Sequence, residues 1–249
     1  MSSNSWIVLG LGLMLSAIGC GDSGGGGSAG NGTGGTGTGG TGGGGATATL
    51  SGIVSEAGEE GDGPVVEGAA VAVVGSSEST TTNAAGEYTL EVPVGDHFVM
   101  ASAAGAWGTI ELVDVPLGGA EYDFEVLPDA LIDEVSEALD EESDTALGLV
   151  AVNFDAGENP AIGGETAELS VVPGFSFTFS DEGMPTLSDA LLADGSSDLI
   201  FVNVPLTDDL AVTPTGAEGW TCVLEAPEAQ YPVVAKTLIE VEVLCTEDP

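Results

Sequence analysis

The sequence predicts an all-β protein in which two β-sandwich domains follow one another, joined by one short helix and preceded by a disordered Gly-rich N-terminal tether. Val, Thr and Gly are abundant and long helical patterns are few, which favours strands. Residues 87–92 alternate polar and apolar side chains, the period-two pattern of a half-buried strand. Turn residues of the first half recur in the second half. About 200 residues remain for folding after the N-terminal region, enough for two small cores.

The charge of the chain restricts its partners. One Lys, Lys236, stands against 41 Asp and Glu residues, and the formal net charge is −40. Such a surface repels polyanions, so nucleic acid and anionic lipid surfaces are excluded as partners. The acidic side chains form either a solvated surface suited to a saline exterior or weak sites for divalent cations.

Residues 1–19 are predicted to be a signal peptide. The apolar stretch 6–18 is shorter than the roughly 20 residues that a membrane-spanning helix needs. The junction LSAIGC resembles a bacterial lipobox, which implies cleavage after Gly19 and attachment of lipid to Cys20. The leader has no Lys or Arg, and Ala17 stands where that family usually has Leu. The ordinary signal peptidase would cut the same bond and leave Cys20 as a free thiol.

Residues 20–45 are predicted to be the lipidated Cys followed by a disordered linker. The tract after Cys20 is almost entirely Gly, Thr and Ser, which cannot bury a core. A chain of this length has a root-mean-square reach of about 25 to 30 Å. A phosphate-binding Gly-rich loop is excluded, because no strand precedes the tract and no Lys-Ser/Thr pair follows it.

Residues 46–127 are predicted to form the first sandwich of about seven strands. The stretches ATLSGIV, PVVEGAAVAV, TTTNAAGEYTLEVPVGDH and ASAAGA resemble the carboxypeptidase regulatory-like, or transthyretin-like, domain. The resemblance implies a seven-stranded Greek-key β-sandwich that serves as a non-catalytic module of exported proteins. The family has no shared catalytic residues to carry over. The strands predicted most directly by alternation and turns are 87–92, 97–101, 109–115 and 121–127, with a turn at 83–86.

Residues 128–147 are predicted to be a helical connector. The helix is expected over 128–143, with Asp129 as its N-cap and acidic residues in the first turn. The remaining faces are acidic, so the apolar stripe is expected to pack on a neighbouring domain. That stripe consists of Leu131, Ile132, Val135 and Leu139.

Residues 148–249 are predicted to be a second, enlarged copy of the sandwich. An offset of 96 residues superposes turn residues such as Gly52 on Gly148 and Pro64 on Pro160. An offset of 112 superposes Pro93 on Pro205. These coincidences indicate an internal duplication. The change of offset predicts an insertion at about 172–197, where specificity could be added.

Four aromatic side chains are candidate ligand contacts: Trp107, Trp220, Phe175 and Phe177. An exposed Trp could stack on the apolar face of a sugar ring. The alternatives are that the tryptophans pack at a sandwich edge, and that Phe175, Phe177 and Phe179 form an extra core strand.

The remaining chemistry is sparse. Cys222 and Cys245 are the two thiols left after Cys20, and in an exported chain they predict a disulfide. His97 is the only His and is expected to be an ordinary strand residue. We therefore predict no metal, no cofactor and no catalytic residues. The acidic runs 59–62 and 140–144 lack the alternating spacing of a calcium loop.

These observations predict a non-enzymatic, exported, lipid-anchored cell-surface protein whose sandwiches act as a structural or protein-interaction module. The alternative is a carbohydrate-binding surface module, and an enzyme with an unrecognised carboxylate site is a third hypothesis. The expected partners are the lipid bilayer, through acyl chains on Cys20, and an envelope protein or polysaccharide of unknown identity. The predicted location is the cell envelope, at the outer membrane or cell surface, or else the secreted fraction. The sequence does not indicate an oligomeric state.

Overall fold

The computed structural model describes residues 46–58, 63–156, 163–193 and 195–248. The predicted signal peptide, Cys20 and the Gly-rich linker lie outside these residues, as does the acidic run 59–62. The described part contains eighteen strands and one helix, which confirms the all-β prediction. Within it, no helix is long and apolar enough to cross a membrane.

The first half of the chain forms two packed layers. Strand β1 pairs antiparallel with β4, and these lie over a second layer in which β5 pairs antiparallel with β2 and β6. Side chains from both layers meet in one buried cluster that includes Leu50, Leu90, Val71 and Val99. The strands are β1 Thr47–Glu56, β2 Ala70–Val73, β3 Ser79–Thr81, β4 Glu87–Pro93, β5 Gly95–Ser102, β6 Ala106–Val115, β7 Ala120–Glu121 and β8 Phe124–Pro128.

Local sequence explains the predicted strand and turn around β4. The side chains of Tyr88, Leu90 and Val92 are buried, and the residues between them are exposed, as the alternation predicted. The turn before β4 is closed by Asn83, whose Oδ1 accepts hydrogen bonds from the backbone N–H groups of Ala85 at 2.8 Å and Glu87 at 3.1 Å. This is the local capping for which Asn is favoured in turns.

Helix α1, Asp129–Leu139, differs from its prediction at both ends. Its N-cap is Pro128 and makes no side-chain capping bond, so the prediction of Asp129 as N-cap was wrong. The carboxylate of Asp129 instead contacts Lys236. The helix ends four residues earlier than predicted because Asp140 adopts a left-handed conformation with φ of 56°. The predicted apolar stripe of α1 packs against a buried cluster that includes Phe177.

The second half also forms two layers around a core. One layer contains β11, β13, β9 and β18, and the other contains the pairs β10–β15 and β14–β17. Their buried side chains include Val152, Phe201, Val241, Leu210 and Tyr231. The strands are β9 Gly148–Asp155, β10 Thr166–Leu169, β11 Phe175–Phe179, β12 Pro185–Leu187, β13 Asp198–Val204, β14 Thr207–Leu210, β15 Val212–Thr215, β16 Trp220–Leu224, β17 Tyr231–Val233 and β18 Thr237–Glu247.

One strand pair joins the two halves into a continuous sheet. Strand β18 pairs parallel with β6, and the register places Thr237 opposite Gly108, Leu238 opposite Thr109 and Ile239 opposite Ile110. On its other side β18 pairs parallel with β9. The C-terminal strand therefore lies between the first half and the start of the second half. Sequence periodicity gave no sign of this pairing.

One run of strand pairing recurs in the two halves. In the first half, β1 pairs antiparallel with β4 and parallel with β8, and β8 pairs antiparallel with β6. In the second half, β9 pairs antiparallel with β13 and parallel with β18, and β18 pairs antiparallel with β16. Strands β2 and β10 also occupy residues 96 apart, the first offset found in the sequence.

Candidate functional site

Two of the four candidate ligand contacts are core residues. Trp107 is 2% exposed and Phe177 is 4% exposed, and both belong to the buried cluster beneath α1. Their selection as ligand contacts was wrong, because neither ring can reach a ligand from this position. Trp220 and Phe175 are half-buried and pack against the edges of the core clusters. The carbohydrate-binding alternative therefore loses two of its four rings.

The Phe-rich part of the predicted insertion forms an additional core strand. Phe175, Phe177 and Phe179 lie on one face of β11, which pairs with β12 and β13. The rings of Phe177 and Phe179 pack edge to face, with 5.4 Å between their centroids. Ser176 and Thr178 point to the opposite face, where both are buried. The core interpretation of these rings is confirmed.

A disulfide joins Cys222 of β16 to Cys245 of β18, as the even pair of thiols predicted. The two residues lie directly opposite each other in the antiparallel register. Among the described strands, β16 pairs only with β18, so the bond fixes an edge strand to the strand that joins the two halves.

The single imidazole has a structural contact. Nε2 of His97 lies 2.8 Å from the carbonyl oxygen of Pro93, within the β4–β5 turn. Among the described residues, no group of three or more His, Cys, Asp or Glu side chains is arranged to hold a metal ion.

An arrangement that sequence reasoning missed is a row of acidic side chains across the sheet that joins the halves. We call Glu111 of β6, Glu240 and Glu242 of β18, and Asp198 of β13 the carboxyl row. Register places Glu242 and Asp198 each opposite Asn153 of β9, so the three share one face of the sheet. Nδ2 of Asn153 donates to Oδ1 of Asp198 at 2.8 Å. Asp198 is buried and the three Glu side chains are half-buried.

The surroundings of the carboxyl row favour neutral carboxyl groups. Burial, together with the charge of Asp198, raises the pKa of Glu240 to about 8 and that of Glu242 to about 7. Burial and the neighbouring charges of Glu240 and Glu242 raise the pKa of Glu111, although a hydrogen bond from Tyr122 opposes the rise. Burial likewise raises the pKa of Asp198. These shifts follow from taking carboxylates out of water beside like charges.

A signal for the row was present in the segment LIEVEVLC of β18. Its alternation of apolar and acidic residues indicates a strand. In the structure the acidic side chains of this segment are half-buried beside β8, whose Glu125 places its charge near Glu240. The backbone oxygen of Glu125 accepts a hydrogen bond from Thr109 Oγ1 of β6 at 2.7 Å. Burial of this kind depends on contacts between distant segments, so periodicity alone cannot reveal it.

A second acidic feature is an open cavity of about 750 Å³ after α1. Asn203, with φ of 57°, closes one side by donating to the carbonyl of Glu142 and accepting from the N–H of Asp144. The cavity is lined by Asp140, Glu141, Glu142, Ser143, Asp144, Thr145 and Asn203. Its charged side chains are all carboxylates, so it repels an anionic ligand.

One protein-family model matches part of the chain. Residues 49–126 match the carboxypeptidase regulatory-like domain. The match confirms the resemblance predicted from the sequence motifs, and it spans strands β1 to β8. No curated protein matches the chain.

Solved structures share only general features with the chain. A cohesin–X-dockerin complex from Acetivibrio cellulolyticus is 20% identical, with 40% of this chain and 76% of that chain covered and a TM-score of 0.28. The minor pilin of Streptococcus agalactiae is 14% identical, with 81% and 97% covered and a TM-score of 0.27. The TIE protein of Bacillus anthracis is 10% identical, and the 82% of this chain that matches spans 34% of that protein, with a TM-score of 0.26. Similarities this low give no basis for transferring a function.

Proposed function

We propose that the chain is a non-enzymatic, exported, lipid-anchored surface protein whose β-sandwich halves serve as a structural or protein-interaction module. The observation that carries the proposal is the order of segments along the chain. A leader ending in LSAIGC is followed by a Gly-rich tract and then by a match to the carboxypeptidase regulatory-like domain at residues 49–126. An anchor, a flexible spacer and a folded module in this order are what a tethered surface protein requires.

Attachment at Cys20 explains two features that otherwise have no role. The thiol would follow the cleaved bond directly, so it would be the first residue of the mature chain. The linker after it would hold the folded part about 25 to 30 Å from the bilayer surface. The location that follows from this anchor is the cell envelope, at the outer membrane or cell surface, with an envelope protein or polysaccharide as the partner.

Duplication of one module is the second part of the proposal. It is supported by the common order of strand pairing, β1 with β4 and β8 in one half and β9 with β13 and β18 in the other. It is also supported by the offset of 96 residues between β2 and β10. The second copy would carry the additional strands β11 and β12 in its insertion.

A non-catalytic role agrees with the chemistry of the described residues. The imidazole of His97 is engaged with a backbone carbonyl, and the carboxyl groups with raised pKa values are buried or half-buried on a face of the sheet that joins the halves. A general acid or base must reach a bound substrate, which these positions do not favour.

The anchor is tested by growing cells that express the tagged full-length chain with an alkyne fatty acid. We expect the wild-type protein to carry the label and to sediment with membranes. The variant Cys20→Ser should lose both the label and the membrane association. The matched control is the double variant Cys222→Ser/Cys245→Ser, which also removes thiols but should keep the label. An unlabelled wild-type chain in the culture fluid would overturn the anchored assignment.

A further inference from the structure

The pairing that joins the two halves ends at a defined point. Strands β6 and β18 are paired from Gly108 and Thr237 to Ile110 and Ile239. Continuing the register by one residue brings Glu111 opposite Glu240. The two strands that connect the halves therefore stop pairing where two carboxyl groups would face each other.

Acidic and phenolic side chains from several strands lie near this point. Glu242 of β18 and Asp198 of β13 lie on the same face of the sheet. The hydroxyl of Tyr122, which lies between β7 and β8, hydrogen-bonds Glu111. Glu125 of β8, Asp155 of β9 and Glu225 after β16 add further negative charge near Glu240 or Glu242.

Basic groups that could neutralise the row are absent from the described part of the chain. The whole sequence contains one Lys and one His. The ammonium group of Lys236 pairs with Asp129, and the ring of His97 contacts the carbonyl of Pro93. The carboxyl groups of the row therefore have two alternatives. They stay protonated and neutral, or they ionise and repel one another without a neighbouring cation.

We propose that the carboxyl row is a proton-dependent joint that holds β6 against β18 when its carboxyl groups are protonated and loosens this pairing when they ionise. A neutral carboxyl group can donate a hydrogen bond to its neighbour, whereas two carboxylates that face each other on adjacent strands repel each other. The pairing between the halves comprises three residue pairs, and Glu111 and Glu240 directly follow the last of them, so repulsion between these two side chains acts on the end of the pairing.

The direction of the pH effect follows from linkage. The ordinary pKa of Glu is 4.5, and in the folded protein the pKa of Glu242 rises to about 7 and that of Glu240 to about 8. Between these limits the folded chain binds more protons than the unfolded chain, so the free energy of unfolding falls as pH rises. The contribution of these carboxyl groups to the free energy of unfolding is fully present below about pH 4.5 and is lost progressively up to about pH 8.

Hydrogen exchange of the folded protein at pH 6.0 and 8.5, corrected for intrinsic exchange rates, tests the proposal. In this window exposed carboxylates are already ionised, so they contribute little change. We expect protection of peptides from 106–115 and 237–247 to fall at least about tenfold, which corresponds to one unit of pKa shift. Protection of β4 should fall less. Equal protection at both pH values would overturn the proposal.

The double variant Glu111→Gln/Glu240→Gln keeps the size of both side chains and cannot ionise. We expect it to retain protection at pH 8.5 and to melt at a less pH-dependent temperature than the wild type. The matched control Glu137→Gln changes an exposed carboxylate on α1 and should keep the wild-type pH slope. The variant His97→Gln, which removes the only imidazole, should also keep it. Circular dichroism at pH 5.5 establishes that each variant is folded.

A folded double variant with the full wild-type pH slope would contradict the proposal. If the double variant does not fold, the single variant Glu242→Gln and the wild-type exchange data decide the question. Glu242→Gln is expected to remove part of the slope between pH 6.0 and 8.5. The joint is independent of the membrane anchor, so it can be tested on the chain whether or not Cys20 carries lipid.

Discussion

Nζ of Lys236 lies 2.8 Å from Oδ1 and 3.0 Å from Oδ2 of Asp129. This ion pair uses the only Lys or Arg of the sequence. The backbone of Lys236 also donates to the carbonyl of Leu147 and accepts from the N–H of Gly108. A single residue therefore contacts the first turn of α1, the start of β9 and strand β6, where the two halves meet.

Removal of this pair should destabilise the protein modestly. Both side chains are about a third or more exposed, so the solvent screens their attraction. We expect Lys236→Met and Asp129→Asn each to lower the free energy of unfolding by about 0.5 to 1 kcal/mol. A double-mutant cycle measured by urea denaturation should give a coupling energy of similar size. Strict additivity of the two single changes would show that the pair contributes nothing.

The disulfide should stabilise the joined sheet by restricting the unfolded chain. Cys222 and Cys245 are separated by 23 residues, a loop for which the expected stabilisation is about 3 kcal/mol. The double variant Cys222→Ser/Cys245→Ser should therefore unfold at a lower denaturant concentration than the oxidised wild type. Adding reductant to the wild type should produce a similar loss, and no loss in either case would contradict the prediction.

The two tryptophans of the folded part should differ in their contribution to stability. Trp107 is 2% exposed and lies in a buried cluster, so Trp107→Ala should cost about 3 to 5 kcal/mol. Trp220 is half-buried at the end of β16, and Trp220→Ala should cost about 1 to 2 kcal/mol. Denaturant unfolding followed by circular dichroism compares them. A larger loss for Trp220 than for Trp107 would mean that the core is misassigned.

Two glycines with the same backbone conformation offer a matched comparison. Gly86 has φ of 75° and Gly75 has φ of 76°. A Cβ atom on Gly86 would lie 2.8 Å from Cβ of Val65 and 2.9 Å from the carbonyl oxygen of Val54, whereas Gly75 has open space. We expect Gly75→Ala to cost about 1 kcal/mol from backbone strain alone.

Gly86→Ala should cost about 2 to 4 kcal/mol, because backbone strain is added to crowding against a neighbouring strand. Thermal unfolding of both variants measures the difference. Equal melting temperatures would show that the turn before β4 relaxes freely.

The features that the sequence predicted are those that depend on neighbouring residues. Alternation placed Tyr88, Leu90 and Val92 inside β4, and Asn83 and Gly86 formed the expected turn. The apolar stripe of α1 packed on the core for the same reason. The disulfide followed from the count of thiols, because only two remained in the folded part.

The features that the sequence did not predict depend on residues far apart in the chain. Asp129 does not cap α1, because it is the first residue of the helix, and its carboxylate pairs with the distant Lys236. The clustering of Glu240 with Glu111 and Asp198 depends on the pairing of β18 with β6 and, through β9, with β13. Trp107 and Phe177 were candidate ligand contacts, but both are buried. Their burial depends on α1, which packs on their cluster from another part of the chain.

The central claim is that the folded module is tethered to a membrane through lipid on Cys20. The intact mass of the mature protein, measured in membrane and culture-fluid fractions before and after reduction, tests it most directly. The claim predicts a membrane-bound chain that begins at Cys20 and carries added acyl mass, which reduction leaves in place. A chain of unmodified mass in the culture fluid would contradict it and would indicate a diffusible protein with a free N-terminal thiol.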